Sequence, residues 1–281
     1  MTALHRIGFM QGRLSAMVDG KIQAFPWSEW REEFPRATAL GLTRMEWTID
    51  QDRLRENPLA TEAGRKEIAT LCRQNSLRIA SLTGDCFMQA PFWKATGDKQ
   101  KALVDDLDLL LAASSAVGIE FVVIPLVDNG KIESEAESDA LLRVLLDRSA
   151  SLVKQNVKII FESDLPPQPL AQFIAKLPRE NFGINYDSGN SASLGYDSAD
   201  EISAYSRRIL NVHVKDRLRG GTTVPLGTGA ADLAKTIRLI EQSDYRGQYI
   251  LQTARADDGD HAGALARYRD MTVGWIEDAR R

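Results

Sequence analysis

The sequence predicts a single (β/α)₈ barrel, because short apolar strands alternate with amphipathic helices along the whole chain. Between the strand-like runs lie segments with the 3.6-residue period of helices. The chain has 281 residues, close to the roughly 250 that one such barrel requires. No linker rich in proline, glycine or serine divides it, so we expect one domain over residues 1–281. The predicted strands are Arg6–Met10, Thr43–Trp47, Arg78–Leu82, Glu120–Ile124, Val157–Phe161, Asn181–Tyr186, Ile209–Val214 and Gln248–Leu251.

Short signals mark where several of the helices between these strands begin and end. Ser134-x-x-Glu137 and Ser198-x-x-Glu201 have the spacing of a capping box, in which a hydroxyl and a carboxylate satisfy the first backbone amides of a helix. Gly118 lies between a helical segment and a strand, where a glycine ends a helix at little cost. The pattern therefore predicts helices that begin near Ser134 and Ser198, and one that ends near Gly118.

An open, doubly wound sheet is the alternative arrangement of the same βα units. Such a sheet usually binds phosphate through a glycine-rich first turn. The first turn here reads MQGRLS and contains a single glycine. Ligands of an open sheet also gather at one switch point, whereas the polar strand ends of this chain are spread over many units. These two differences favour the closed barrel.

Composition and charge exclude several classes of protein. Hydrophobic residues make up 43% and charged residues 26% of the chain, which is ordinary for a globular protein. The net charge of −4 argues against a nucleic-acid-binding surface, which normally needs a basic face. No apolar run approaches the ~20 residues of a membrane span, and the start lacks the apolar core of a secretory signal. With only Cys72 and Cys86, which read as free thiols, we expect a cytoplasmic protein without nucleic-acid or membrane partners.

Four apolar runs in the second half of the chain end, or nearly end, in a side chain that can bind a metal. These side chains are Glu162, Asp187, His213 and Gln252. Because the C-terminal strand ends of a barrel surround the active site, we expect the four to converge. Their oxygen-rich donor set suits Mn²⁺ or Mg²⁺, with Co²⁺ or Zn²⁺ as alternatives. Taken singly, each also fits a structural role, such as a turn aspartate or a core histidine.

Several motifs lie at or after the predicted strand ends. They are Gly8-Phe-Met-Gln-Gly-Arg-Leu-Ser15, Gly41-Leu-x-x-x-Glu46, the strand-end Glu162, Asp187-Ser-Gly-Asn190, His213-Val-Lys-Asp216 and Pro225-Leu-Gly-Thr-Gly229-x-x-Asp232. At these residues the sequence resembles the sugar phosphate isomerase/epimerase superfamily, which has a xylose-isomerase-like barrel. That group includes ketose epimerases, hydroxypyruvate isomerases and inosose dehydratases. The resemblance implies that Glu162, Asp187 and His213 are metal ligands and that Glu162 also transfers a proton.

One residue departs from the family pattern. Family epimerases carry a glutamate on the last strand, where this chain has Gln252, and an amide cannot accept a proton at neutral pH. Glu46, at the end of the second strand, and Asp85, just after the third, remain open as the second proton carrier. Lys215 lies on the same strand face as His213 and is a further catalytic candidate, with a salt bridge to a nearby aspartate as its alternative.

Three arginines that follow strand ends indicate the substrate. Arg13, Arg217 and Arg255 could each bind a phosphate or carboxylate through the planar guanidinium, although exposed loop arginines are equally common. With Asp85 and Asn190, they form the predicted substrate-binding set. The expected substrate is therefore a small sugar that is phosphorylated or acidic.

The sequence as a whole predicts a metal-dependent isomerase or epimerase that works through an enediolate. An inosose-dehydratase-like lyase and a non-catalytic sugar-binding barrel are the alternatives. DNA repair of the endonuclease IV type is disfavoured, because the chain has only three histidines and a net negative charge. A homo-oligomer is compatible with the sequence.

Overall fold

Eight parallel strands close into a barrel in the computed structural model, which describes residues 2–281. Going round the barrel, the order is β1, β2, β3, β4, β5, β6, β7 and β10, and β10 pairs with β1 to close it. A short antiparallel hairpin, β8 with β9, lies outside the barrel. The ten strands are β1 (Ile7–Met10), β2 (Arg44–Thr48), β3 (Arg78–Thr83), β4 (Phe121–Leu126), β5 (Lys158–Ser163), β6 (Phe182–Asp187), β7 (Ile209–Val214), β8 (Asp216–Arg217), β9 (Thr223–Val224) and β10 (Gln248–Leu251).

The predicted single barrel domain is confirmed, and every barrel strand begins and ends within two residues of its predicted bounds. The strands were recognisable because both of their faces are covered, which makes their sequences continuously apolar. In β6, for example, all six residues are buried. The barrel therefore follows from the hydrophobic pattern of the chain.

Eleven α-helices accompany the strands in the described part of the chain. None of these helices is long and apolar enough to cross a membrane. They are α1 (Glu33–Ala39), α2 (Glu62–Gln74), α3 (Asp85–Gln89), α4 (Gly97–Val117), α5 (Glu135–Leu146), α6 (Ser149–Gln155), α7 (Pro167–Ala175), α8 (Ser188–Leu194), α9 (Ser198–Tyr205), α10 (Leu233–Gln242) and α11 (His261–Ala279).

All three predicted helix ends are confirmed, although one of the two capping boxes is not. The Ser134 hydroxyl accepts a hydrogen bond from the Glu137 amide and begins α5, and Gly118 ends α4 with a φ of 80°. The helix α9 begins at Ser198 as predicted, but the capping box there is wrong, because the carboxylate of Asp197 caps the helix instead. Glu201 turns inward, where Tyr186 donates to it at 2.9 Å.

A layer of polar side chains fills the barrel interior just below the C-terminal strand ends, where branched apolar residues are more usual. Its members, all buried, are Glu46, Ser81, Asn185, Asn211 and Gln248. Ser81 and Asn211 both donate to Glu46 Oε2, at 2.6 and 3.0 Å. Asn211 also donates to Asn185 Oδ1 at 2.8 Å, and Gln248 donates to Ser81 at 3.1 Å. This layer supports the residues at the mouth of the barrel from below.

Candidate active site

Three of the predicted metal ligands converge at the C-terminal end of the barrel. Glu162, Asp187 and His213 come from β5, β6 and β7, are all buried, and offer ligand atoms within 4.8 Å of one another. His213 Nδ1 lies 3.1 Å from Glu162 Oε2 and 3.9 Å from Asp187 Oδ2. Two carboxylates and an imidazole in this arrangement could hold a divalent metal ion.

The second nitrogen of His213 contacts Glu46, which lies beneath the cluster. Nε2 is 2.7 Å from Glu46 Oε1. Such carboxylate–histidine pairs fix the orientation of a metal-binding ring. Burial lowers the pKa of His213, but the charge of Glu46 and the hydrogen bonds with Glu162 and Glu46 outweigh it and raise the pKa to about 10. The cluster therefore strongly attracts positive charge.

A cavity of about 440 Å³ opens beside this cluster. Its volume is within the range of small-molecule sites. Six of the residues singled out in the sequence line it, namely Asp85, Glu162, Asn190, Lys215, Arg217 and Gln252. Glu46, predicted as catalytic, does not reach the cavity, because its side chain is fully buried in the polar layer.

The side chain of Asn190 connects Glu162 to two cationic groups. Its amide nitrogen donates to Glu162 Oε1. Its oxygen accepts from Lys215 Nζ at 3.1 Å and from Arg217 Nη1 at 2.8 Å. Lys215 also lies 3.4 Å from Asp187 Oδ2, so the salt bridge considered for it is present. One wall of the cavity thus places two positive charges beside the carboxylate cluster.

Gln252, from the end of β10, reaches the cavity at a different position. Its amide nitrogen donates to Gln23 Oε1 at 2.9 Å, and Gln23 in turn donates to Asp85 Oδ2 at 2.6 Å. The Gln252 oxygen is buried and has no hydrogen-bond partner among residues 2–281. Buried polar atoms are normally paired, so this free oxygen, in the same cavity as Glu162, fits a ligand to a cation.

Arg13 and Arg255, predicted to bind substrate, do not line the cavity. Arg13 is buried and donates to the carbonyls of Thr253 and Ile22, at 2.9 and 3.0 Å. Burial and the nearby Arg255 lower the pKa of Arg13 to about 9. Arg255 donates to the Ile22 carbonyl at 3.2 Å. Because their donors are engaged by backbone oxygens, both arginines fasten the loop after β1 to the segment after β10.

The sequence reasoning missed the residues that support the cluster. Asn185 precedes Asp187 by two residues, and Asn211 precedes His213 by two. Since side chains alternate along a strand, both pairs share a face, and this spacing could have identified the asparagines. Gln23 offered no such signal, because it lies in an irregular loop that returns over the barrel mouth.

Comparison with known proteins agrees with this architecture. A sequence model of the family described as xylose isomerase-like TIM barrel matches residues 34–271. L-ribulose-5-phosphate 3-epimerase UlaE of Escherichia fergusonii is 24% identical over 266 residues, which cover 91% of this chain and 92% of that protein.

Solved structures share the fold along nearly the whole chain. The IOLI protein with a bound zinc atom aligns with a TM-score of 0.75 at 17% identity, over 98% of this chain and 99% of that one. A structure of L-ribulose 3-epimerase aligns with a TM-score of 0.72 at 17% identity, over 100% of this chain and 96% of that one.

Proposed function

Since this chain belongs to the xylose isomerase-like TIM barrel family, we propose that it is a metal-dependent sugar isomerase or epimerase that acts through an enediolate. The observation that carries the proposal is the buried cluster of Glu162, Asp187 and His213 beside a cavity. The names of two similar proteins, both sugar epimerases, support it.

We assign Glu162, Asp187, His213 and the free oxygen of Gln252 as the residues that hold the cation. Two carboxylates balance the charge of a divalent ion, and Mn²⁺ or Mg²⁺ suits the oxygen-rich set best. When bound, the ion would act as a Lewis acid on the substrate carbonyl and so acidify the neighbouring C–H. A neutral site of this kind tolerates an anionic substrate.

Glu162 is the group that removes the proton from the carbon beside the carbonyl. It lines the cavity. Its Oε1 accepts from Asn190 and its Oε2 from Asn185, at 3.1 Å for the latter, so its orientation is fixed. An oriented carboxylate within reach of an acidified C–H is a competent general base. Lys215, next to the same cluster, provides a positive charge that stabilises the developing enediolate.

The substrate is a small sugar with a phosphate or carboxylate group. Arg217 and Lys215 lie on the cavity wall, and both are held by Asn190. A guanidinium and an ammonium on one wall suit an anionic group. The name of one relative, L-ribulose-5-phosphate 3-epimerase, refers to a sugar phosphate, which is consistent with this charge.

Solvent exchange tests the proposal directly. Protein loaded with Mn²⁺ is incubated in D₂O with neutral, acidic and phosphorylated ketoses, including L-ribulose 5-phosphate, and proton NMR follows the carbon next to the carbonyl. We expect deuterium to enter there, with a new ketose or its epimer as product. Glu162→Gln should abolish this exchange. Loss of water with a new enone absorbance would instead indicate the lyase. Absence of any reaction across the whole panel would contradict the proposal that this protein is an enzyme.

A further inference from the structure

We propose that Asp85 is the second proton-transferring carboxyl of this site and supplies what Gln252 cannot. The inference rests on the proposed function and identifies how an epimerase could act without a glutamate on the last strand. From the sequence, Asp85 could either bind substrate or transfer a proton. The proposal makes it a catalytic residue.

The position of Asp85 is held by a chain of hydrogen bonds that ends at Gln252. Asp85 is the first residue of α3, directly after β3, and lines the cavity. Gln23 donates to its Oδ2 at 2.6 Å, and Thr83 donates to its Oδ1 at 3.3 Å. Because Gln23 also accepts from Gln252 at 2.9 Å, one side chain separates the Asp85 carboxyl from the amide on the last strand.

Asp85 and Glu162 reach the cavity from the ends of two different barrel strands. Their strands, β3 and β5, are separated by β4. Neighbouring strands are about 4.8 Å apart, so these two are roughly 10 Å apart. A sugar carbon bound between the two carboxyls could therefore lose a proton on one face and gain one on the other.

Two other acidic groups near the site, Glu46 and Asp164, do not meet this requirement. Both oxygens of Glu46 are engaged by His213, Ser81 and Asn211, and the side chain is shielded from the cavity. Asp164 lines the cavity but follows Glu162 by two residues, so it comes from the same strand end.

The environment of Asp85 suits proton transfer near neutral pH. Burial, followed by the charges of Asp50 and Glu162, raises the pKa of Asp85 to about 7, against the hydrogen bonds from Gln23 and Thr83. General acids and bases are most effective when the pKa is close to the working pH. The titratable groups that surround it are Arg13, Asp50, Cys86 and Glu162.

The proton balance of the proposed reaction is simple. The Glu162 carboxylate takes the proton from the carbon next to the carbonyl, and the electron pair of that C–H bond forms the enediolate. Protonated Asp85 then donates its proton to the opposite face of the same carbon, and the carbonyl is restored. Glu162 now holds a proton and Asp85 is ionised, and exchange with water returns both to their starting states.

The Asp85→Asn variant separates proton removal by Glu162 from proton donation by Asp85. With L-ribulose 5-phosphate and Mn²⁺ in D₂O, we expect epimer formation to fall roughly 100-fold or more, the usual contribution of a proton-transferring group. Deuterium uptake into the recovered substrate, which needs only Glu162, should fall less than about tenfold. Asp128→Asn, a carboxyl-to-amide change at another residue that lines the cavity, should leave the ratio of inversion to exchange unchanged.

Three results would overturn the inference. If Asp85→Asn shows the same ratio of epimer formation to deuterium exchange as wild type, Asp85 transfers no proton. Equal loss of exchange and inversion, with no partial recovery of inversion in Asp85→Glu, would show a structural role. Independently of any substrate, infrared difference spectra of wild type against Asp85→Asn should show a carboxyl that is protonated at pH 6 and ionised at pH 8. An Asp85 carboxyl that is already ionised at pH 6 would also refute the inference. Absence of deuterium exchange in the wild-type protein would instead be a failure of the proposed function alone.

Discussion

On one wall of the cavity, Glu162, Asp187 and His213 come from consecutive barrel strands and contact one another directly. On the other wall, Asp85 is held by Gln23, a residue of the loop after β1, and Gln23 in turn accepts from the proposed cation ligand Gln252. Strand pairing and the polar layer fix the first wall, whereas three side-chain hydrogen bonds assemble the second. Loops at the C-terminal face of a barrel change readily without disturbing the strands. The difference suggests that cation binding and proton delivery can be altered separately.

Removal of the base from the first wall should have the largest effect. We expect Glu162→Gln to lower the rate of deuterium exchange by roughly 10³-fold at saturating Mn²⁺, because the amide cannot accept the substrate proton. NMR exchange rates measure the change. Glu180→Gln, at an exposed position, is the control and should exchange like wild type. A deuterium exchange rate in Glu162→Gln comparable with that of wild type would show that Glu162 is not the base.

The support beneath the first wall should affect metal affinity. Glu46→Gln weakens the hold on the His213 ring, and changes of such supporting partners typically cost 10–100-fold in metal affinity. We expect a loss of this size in an isothermal titration with Mn²⁺, and a larger loss for His213→Gln. Asp85→Asn, which belongs to the second wall, should bind Mn²⁺ as wild type does. Equal losses in Asp85→Asn and Glu46→Gln would show that the two walls are not separable.

Breaking the connection within the second wall should have a smaller effect. Gln23→Ala removes the side chain that holds both Asp85 and Gln252. We expect inversion to slow roughly tenfold, since a misplaced proton carrier loses part of its contribution. Mn²⁺ affinity should fall less than in Glu46→Gln, because Gln23 orients only one of the four proposed cation ligands, Gln252. Steady-state rates and Mn²⁺ titration are compared with Ile22→Ala, the neighbouring residue in the same loop. A loss of metal affinity in Gln23→Ala as large as that in Glu46→Gln would contradict the division into two walls.

The second wall should also affect how the stability of the fold depends on pH. Burial raises the pKa of Asp85 from its ordinary 3.8 to about 7. The folded protein therefore holds this proton more tightly than the unfolded chain, and stability falls as the pH rises from about 4 to about 7. Asp85→Asn should flatten this decline by on the order of 4 kcal/mol.

Urea unfolding of metal-free protein between pH 4.5 and 8 measures this effect. Glu33, whose pKa is also raised to about 7 by burial, keeps its own contribution in both proteins. An unchanged pH dependence in Asp85→Asn would mean that Asp85 is ionised throughout the folded state.

The two walls also differ in how far they could be predicted. Strand ends are readable because apolar runs stop at polar residues, and this signal located Glu162, Asp187 and His213. Gln23 belongs to a loop without periodicity, so no pattern could place it against Asp85. Arg13 and Arg255 follow strand ends, but sequence does not show which carbonyls will engage their donors. Site residues at strand ends could be predicted because the barrel sets their geometry. Loop side chains could not be placed, because several hydrogen-bond partners were open to each of them.

The most direct test of the cation site is anomalous diffraction from crystals soaked in Mn²⁺. We expect one strong peak among Glu162, Asp187 and His213, facing the free oxygen of Gln252, and no such peak in crystals of Asp187→Asn. Absence of a peak at this cluster in the wild-type protein, or a peak that persists unchanged in the variant, would contradict the proposed cation site.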